Sequence, residues 1–245
     1  ATATYREADP PHTFFAYFPP GRVPPDVAGL AAFKGARLLE AETFADEDWL
    51  AKSREGFGRF EVGSRFLVKP LWDEDPVPEG RLALVVNPGL AFGTGGHEPT
   101  RRCMGLLEGL ADEGRLQGPI LDIGAGTGIL ALTAALLGGR DILAFDNDPD
   151  CGPAMAEFID LNAHLLDGRT PFRHFVGLLD DPQVRGPYQV LLANILLETI
   201  QELLPGMAEV AAPGGRLIAS GILAERQDEA LVSLVLGGFR PLRVV

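Results

Sequence analysis

"ILDIGAGTGILAL", residues 120–132, decides the fold of this chain. An apolar run leads into three alternating glycines, Gly124, Gly126 and Gly128, and a second apolar run follows them. Glycines at this density let a backbone turn sharply and approach a ligand closely. The stretch therefore predicts a strand, a tight turn and a helix. From the glycines alone, the turn is either a ligand site or an ordinary strand-to-helix connection.

The residues around this turn indicate which ligand it would suit. Asp122 precedes the first glycine, and Ile129 stands where the dinucleotide fingerprint G-x-G-x-x-G has its third glycine. A carboxylate beside the ligand suits a cationic or zwitterionic group better than a diphosphate. Both features disfavour a nucleotide-dependent oxidoreductase. The next strand ends in "LAFDNDP", and Asp146 follows Gly124 at about the 20-residue spacing from which an acidic side chain reaches ribose hydroxyls.

Strands and helices alternate from residue 82 onward. The predicted strands are "LALVV", "PILDI", "DILAFD", "FRHFVG", "YQVLLAN", "GRLIAS" and "FRPLRVV". Near-continuous apolar strands separated by helices are typical of a parallel sheet that is covered on both faces. We therefore predict an α/β fold with a doubly wound, Rossmann-like domain over residues 81–245. Such sheets bind ligands beyond the carboxyl ends of their strands, where the strand order reverses.

The amino-terminal part has a different pattern. Residues 1–45 predict a small α+β module, with strands in "FFAYF" and "ARLLEAETF" and a helix in "DVAGLAAFKG". A fragment this short needs partner strands to bury its apolar face, so we expect the module to be incomplete. Residues 46–80 are predicted to form a connector, with "EVGSRFLVKPLW" as a single strand.

The composition indicates the class of protein and the cellular compartment to expect. The chain of 245 residues is 46% hydrophobic and 22% charged, which is typical of a globular protein. No apolar run is long enough to span a bilayer and the first residues do not resemble a signal peptide, so we expect no membrane association and a cytoplasmic location. Cys103 and Cys151 have neither metal-ligand spacing nor a disulfide framework, which favours two buried thiols in a reducing compartment.

The net charge of −13 indicates which kinds of binding partner the chain would attract. Phosphate neutralisation needs clustered Lys and Arg, so direct nucleic-acid binding is not expected. A basic partner would be attracted instead. Solubility alone is also a sufficient reason for the acidity.

Two further stretches contain candidate site residues. Asn194 ends the apolar strand in "LLANILLETI", where it either satisfies a turn or belongs to a site, since it has little packing reason to be there. The glycine-rich segment "NPGLAFGTGGHEPT", residues 87–100, includes His97, for which a structural role and a functional role are equally open.

These motifs resemble known enzymes. D-x-G-x-G-x-G with a following helix and Asp146 is similar to the class I S-adenosylmethionine methyltransferases. "GLAFGTGGHEPT", "LDIGAGTGIL", "DNDP" and "ANILLETI" resemble, in order and spacing, the PrmA family, which methylates the eleventh protein of the large ribosomal subunit. The resemblance covers most of the chain from about Asp48.

The resemblance implies a protein lysine N-methyltransferase that uses S-adenosylmethionine and releases S-adenosylhomocysteine, with no metal. Its implied substrate is a basic ribosomal protein, methylated on lysine side chains, with the N-terminal amine as a further candidate. Asn194 would be catalytic, lying between the cofactor and the acceptor amine, and the segment from Gly93 to Thr100 would fold over the methionine end of the cofactor. The implied cofactor-binding residues are Phe92, Thr100, Asp122, Gly124, Gly126, Gly128, Asp146 and Asn194.

The chain also departs from the family pattern. Pro99 replaces the first of two threonines that usually follow the histidine, and Asn87 stands where Asp is usual. The amino-terminal module resembles part of a ferredoxin-like substrate-recognition domain. The alternatives are a related methyltransferase acting on lysines of another protein or on a small amine, and an inactive cofactor-binding module.

Overall fold

The computed structural model of the protein describes residues 2–5, 14–17, 57–88, 98–166 and 172–245. The chain divides into two compact units, Ala1–Glu47 and Asp48–Val245. In the first unit, β1 (Thr2–Tyr5) pairs antiparallel with β2 (Phe14–Tyr17). The strand predicted in "FFAYF" is thus confirmed, whereas β1 was not predicted. The helix and strand predicted within residues 26–44 lie outside the described residues.

The second unit is built on a five-stranded, wholly parallel sheet. Its strand order is β10-β9-β6-β7-β8. The chain winds outward from the central strand to one edge, then returns to the other side of the same strand, so the strand order reverses between β6 and β9. The bounds are β6 Ile120–Ile123, β7 Ile142–Asp146, β8 Arg173–Val176, β9 Tyr188–Asn194 and β10 Ala211–Ser220.

Apolar side chains on the two faces of these strands form two separate cores. Successive side chains point to opposite faces of a sheet. Ile120, Ala144 and Leu192 join one buried cluster, and their sequence neighbours Leu121, Leu143 and Leu191 join the other. Because both faces are buried, the strands are apolar throughout, as the sequence predicted.

Five α-helices cover the sheet in the described part of the chain. Residues from the first three join the first cluster, Met207 of the fourth joins the second, and the fifth packs against the fourth. The bounds are α1 Glu98–Asp112, α2 Ile129–Leu136, α3 Cys151–Leu161, α4 Leu197–Val210 and α5 Gln227–Leu236, with short 3-10 turns at Ala163–Leu165 and Ala224–Arg226. Among the residues described, no helix combines the length and apolar character needed to cross a membrane.

Residues 60–86 differ from the prediction in two ways. "EVGSRFLVKPLW" forms two antiparallel strands, β3 (Phe60–Val62) and β4 (Phe66–Pro70), instead of one. The chain reverses because Gly63 adopts a φ of 53° and the carboxylate of Glu108 accepts hydrogen bonds from the following two backbone N–H groups. The strand β5 (Leu82–Val86), predicted in the doubly wound sheet, pairs in parallel with β4 in a separate three-stranded sheet.

Asn162 ties β5 to the rest of the unit. Its side chain accepts a hydrogen bond from Val85 N at 2.8 Å and donates to Val85 O and to Phe158 O, each at 2.8 Å. Asn162 is fully buried. The carboxamide therefore satisfies the backbone groups of Val85 much as a neighbouring strand would. This contact fixes the strand from which the glycine-rich segment departs.

Replacing Asn162 by alanine should destabilise the protein by about 2–4 kcal/mol, because buried backbone groups would lose their partners. Denaturant unfolding followed by circular dichroism would measure the change. Asn147→Ala, at an exposed position, is the matched control and should have little effect. An Asn162 variant as stable as this control would show that the contact contributes little.

The strand predicted in "FRPLRVV" is wrong. Residues 239–245 have no regular secondary structure and are mostly exposed. Phe239 N donates to Leu234 O at the end of α5 rather than to a strand. Pro241 lacks a backbone donor. An extended segment becomes a strand only where a ladder partner takes up its hydrogen bonds.

Candidate active site

The glycine turn after β6 has the backbone that only glycine adopts readily. Gly124, Gly126 and Gly128 have φ values of 68°, 56° and 80°. A Cβ on Gly124 would lie 2.4 Å from Cγ2 of Ile195, so the turn after β6 and the chain after β9 are in close approach. The turn therefore requires glycine both for conformation and for space. It brings the chain directly into the first turn of α2.

Asp146, at the end of β7, is bound to this turn. Its Oδ2 accepts a hydrogen bond from Gly126 N at 2.8 Å, and its Oδ1 accepts from Asp148 N at 3.0 Å. Ala125 N also donates to Phe145 O at 3.0 Å. A carboxylate offers about four acceptor positions, so the two oxygens retain capacity for a diol. The half-buried carboxylate is held in orientation by backbone donors before any ligand binds.

Asp122 lies behind the turn. It is 1% exposed, and its Oδ2 accepts a hydrogen bond from Ala131 N in the first turn of α2 at 3.0 Å. Desolvation by burial raises the pKa of the Asp122 carboxyl to about 7, while the hydrogen bond from Ala131 opposes the rise and the nearby Asp146 adds to it. This hydrogen bond ties β6 to the first turn of α2.

This raised pKa predicts a pH dependence of stability. The pKa is near 4 in an unfolded chain and about 7 in the fold, so between these values the folded state binds the proton more tightly. The free energy of unfolding should therefore fall as pH rises through this window, by at most about 1.4 kcal/mol per pH unit from this group. Asp122→Asn keeps an acceptor for Ala131 N but cannot titrate, and should lack this contribution. Equal pH slopes of the two proteins in denaturant unfolding would contradict the assignment.

Asn194 stands where the strand order reverses. Ala193 is the register partner of Ile123, so Asn194, the last residue of β9, lies beside the turn that follows β6. Its Nδ2 donates to Oγ1 of Thr100 at 3.1 Å, and Thr100 is 3% exposed in the first turn of α1. The other face of the carboxamide, the carbonyl oxygen Oδ1, is an acceptor with two lone pairs. The site thus has a hydrogen-bond acceptor fixed beside the glycine turn.

Ser220 was missed by the sequence reasoning. It is the register partner of Asn194 at the end of β10, and it hydrogen-bonds the thiol of Cys103 in α1. A polar residue that ends the apolar strand "GRLIAS" is the same signal that identified Asn194, and it could have been found in the same way. Burial raises the pKa of Cys103 to about 11, so this thiol stays protonated. Both cysteines are free and buried, as predicted.

Asn87, which stands where the family usually has Asp, makes a hydrogen bond that an aspartate could not donate. Its Nδ2 donates to Oε1 of Glu157 in α3 at 2.8 Å. An aspartate at this position would lack the donor and place a second negative charge beside Glu157. Phe92 and His97, also candidates from the sequence, lie outside the described residues.

A groove of about 1230 Å³ runs beside α1 and β10. Cys103, Ser220 and residues 239–245 line it, whereas the glycine turn and Asp146 are not among its lining residues in the described part of the chain. The described lining of the groove therefore does not include the turn and the carboxylate, whose chemistry would suit a ribose.

The structure brings six predicted site residues to one edge of the sheet: Thr100, Gly124, Gly126, Gly128, Asp146 and Asn194. A glycine turn before a helix, a carboxylate at the tip of the next strand and a reversal of strand order between β6 and β9 are typical of the class I S-adenosylmethionine methyltransferase fold. These residues fit that cofactor, because the Asp146 carboxylate beside the turn has acceptor capacity for the ribose hydroxyls.

Comparisons with known proteins identify the family. The family model described as "Ribosomal protein L11 methyltransferase (PrmA)" matches residues 26–240. A curated ribosomal protein L11 methyltransferase from Trichlorobacter lovleyi is 39% identical over 221 residues, covering 88% of this chain and 68% of that protein. A relative of the same name from a Geobacter species is 37% identical over 203 residues, covering 82% and 63%. The chain belongs to the ribosomal protein L11 methyltransferase family.

A solved structure agrees with this placement. The crystal structure of a ribosomal protein L11 methylase from Lactobacillus delbrueckii subsp. bulgaricus superimposes with a TM-score of 0.64 at 26% identity, covering 77% of this chain and 94% of that one. The chain spans about two thirds of the length of the two curated relatives, 68% and 63%.

Proposed function

We propose that this protein transfers methyl groups from S-adenosylmethionine to lysine side-chain amines, and to the N-terminal amine, of ribosomal protein L11. The observation that carries the proposal is the placement of Asn194 beside the glycine turn, with its amide nitrogen engaged by Thr100 and its carbonyl oxygen available as an acceptor. Family membership supports the choice of substrate.

The cofactor would be held on the turn side of the site. Gly124 and Gly126 let the backbone approach it closely, and Asp146 would accept hydrogen bonds from both ribose hydroxyls. When bound, S-adenosylmethionine supplies an electrophilic methyl group, so the protein needs no acid–base pair to create one. Phe92 would flank the cofactor, and the segment before α1 would close over its methionine end.

The acceptor amine must arrive neutral, because the attack uses its lone pair. A free lysine has a pKa near 10.4, so the site must favour the deprotonated form, which desolvation does. Oδ1 of Asn194 accepts a hydrogen bond from an amine N–H and thereby directs the lone pair. Transfer of the methyl group that S-adenosylmethionine would supply leaves this nitrogen cationic, and it would then release its proton to solvent. The contribution of the protein is positioning, which in well-oriented systems supplies up to about 7–11 kcal/mol.

Charge and the amino-terminal module would guide the substrate. The net charge of −13 attracts a basic protein and cannot by itself select one. We therefore assign selection to residues 1–45, because the remaining unit accounts for cofactor and chemistry. The protein would act in the cytoplasm, where its free thiols remain reduced.

Two measurements test this function. Calorimetric titration with S-adenosylmethionine and with NAD separates a methyltransferase from an oxidoreductase, and only the first should bind. Incubation with labelled cofactor and a ribosomal extract then identifies the acceptor, which should be L11. Label on another protein would indicate a related methyltransferase of different specificity. Cofactor binding without any transfer would indicate an inactive binding module.

A further inference from the structure

One face of α1 reaches the tips of two neighbouring strands. Thr100 accepts the hydrogen bond from Nδ2 of Asn194 at the end of β9, and Cys103, three residues later, hydrogen-bonds Ser220 at the end of β10. Residues three apart share a helix face. Thr100 and Cys103 are 3% and 1% exposed, so both contacts are shielded from water.

The carboxamide of Asn194 needs such a partner. Its last torsion joins an sp³ to an sp² carbon and is broad and roughly two-fold, so the oxygen and the NH₂ group exchange places at little intrinsic cost. With the oxygen toward the acceptor amine, the amine donates and its lone pair remains free. With the NH₂ group there, the lone pair would accept the hydrogen bond and be withdrawn from attack.

We propose that Thr100 is a positioning residue that holds the carboxamide of Asn194 with its oxygen toward the acceptor amine. This inference rests on the proposed function and assigns Thr100 a role on the acceptor side of the site, besides the cofactor contact that the family resemblance implies. The hydroxyl oxygen accepts from Nδ2 at 3.1 Å, and this contact holds the carboxamide with Oδ1 on its opposite side.

The start of α1 is built to keep Thr100 in place. Pro99 is the second residue of the helix, where its fixed φ suits the first turn and its missing N–H costs nothing. Glu98 pairs with Arg102 one turn later at 2.6 Å. Cys103 and Met104 are buried beneath the turn. The proline that departs from the family pattern thus stiffens the turn that carries the neighbouring threonine.

Thr100→Val removes the hydroxyl with little change of shape and should lower the single-turnover methylation rate about tenfold, as expected for one lost orienting hydrogen bond. The affinity for S-adenosylmethionine should change much less. Thr100→Ser keeps the hydroxyl and should restore most of the rate. Thr133→Val, at a fully buried threonine whose hydroxyl donates to Ile129 O of its own helix, controls for the loss of a buried hydroxyl and should keep the wild-type rate.

A double-mutant cycle tests whether Thr100 acts through Asn194. In an Asn194→Ala background, Thr100→Val should cause no further loss, since the group it orients is gone. A full tenfold loss in that background would overturn the proposal. So would a rate loss in Thr100→Val that is matched by an equal loss of cofactor affinity, because Thr100 would then act on the cofactor alone.

Nitrogen-15 NMR of the side-chain NH₂ signals makes the proposal testable even if no methyl group is transferred. The signal that disappears in Asn194→Ala belongs to this residue, and it should shift in Thr100→Val and remain in place in Thr133→Val. An unshifted signal would overturn the positioning role. Absence of methyl transfer by the wild-type protein, with the shift present, would refute the proposed function and leave the hydrogen bond standing.

Discussion

Replacing Asn194 by alanine is expected to lower the methyl-transfer rate about 10²-fold, the loss typical of removing one preorganised hydrogen-bonding group from a reacting centre. The affinity for S-adenosylmethionine should stay nearly unchanged, because the carboxamide serves mainly the acceptor amine. Single-turnover kinetics and calorimetry measure the two quantities separately.

Other results for the methyl-transfer rate and the cofactor affinity of Asn194→Ala would change the role of this residue. Equal losses of rate and cofactor affinity would move Asn194 to the cofactor side of the site, and an unchanged rate would remove it from the site. Asn194→Asp provides a shape-matched comparison. Its carboxylate would favour the protonated ammonium form of the acceptor, so the rate should also fall although the side-chain volume is kept.

The second large effect is expected at Asp146. Asp146→Ala should weaken S-adenosylmethionine binding by about 1.5–3 kcal/mol, because charge-assisted hydrogen bonds to the ribose hydroxyls would be lost. Its present partners, Gly126 N and Asp148 N, would also lose an acceptor, so thermal unfolding without ligand should accompany the calorimetry.

Asp148→Ala is the matched control for this variant. Asp148 is exposed, two residues away, and its carboxylate accepts from Asp150 N. Its removal should leave cofactor affinity nearly unchanged. Unchanged affinity in Asp146→Ala, or an equal loss in both variants, would contradict the assignment of Asp146 to the ribose.

The parallel sheet and the meeting of most candidate site residues at one edge of it could be predicted from the sequence because the signals are local. Glycines at alternate positions are needed wherever a turn combines positive φ with close packing, as at Gly124. A polar residue that ends an apolar strand, such as Asp146 or Asn194, stands out because strand interiors here are apolar on both faces. In a parallel sheet, such residues necessarily meet at one edge.

The errors came from contacts between residues distant in sequence. The reversal between β3 and β4 depends on Glu108, which lies 44 residues beyond Ser64. The backbone groups of Val85 in β5 are hydrogen-bonded by Asn162, 77 residues further along the chain. Apolar alternation marks a strand in both cases but carries no information on which partner completes its hydrogen bonds.

Asp122 illustrates the limit within the site itself. The sequence predicted its carboxylate beside the ligand, since it lies two residues before the first glycine of the motif. In the structure Asp122 is buried and its Oδ2 accepts a hydrogen bond from Ala131 N, whereas its contact with a ligand stays a prediction. Because side chains alternate along a strand, the Asp122 side chain points to the same face of the sheet as Ile120. The motif gives the residue type but not the face of the sheet to which it points.

Intact-mass spectrometry of purified ribosomal protein L11, incubated with this protein and S-adenosylmethionine, tests the central claim most directly. We expect stepwise gains of one methyl group on lysine and N-terminal amines, greatly slowed by Asn194→Ala. A second basic protein of similar size should gain none. No mass gain under conditions where the cofactor binds, or equal gains by the second protein, would contradict it.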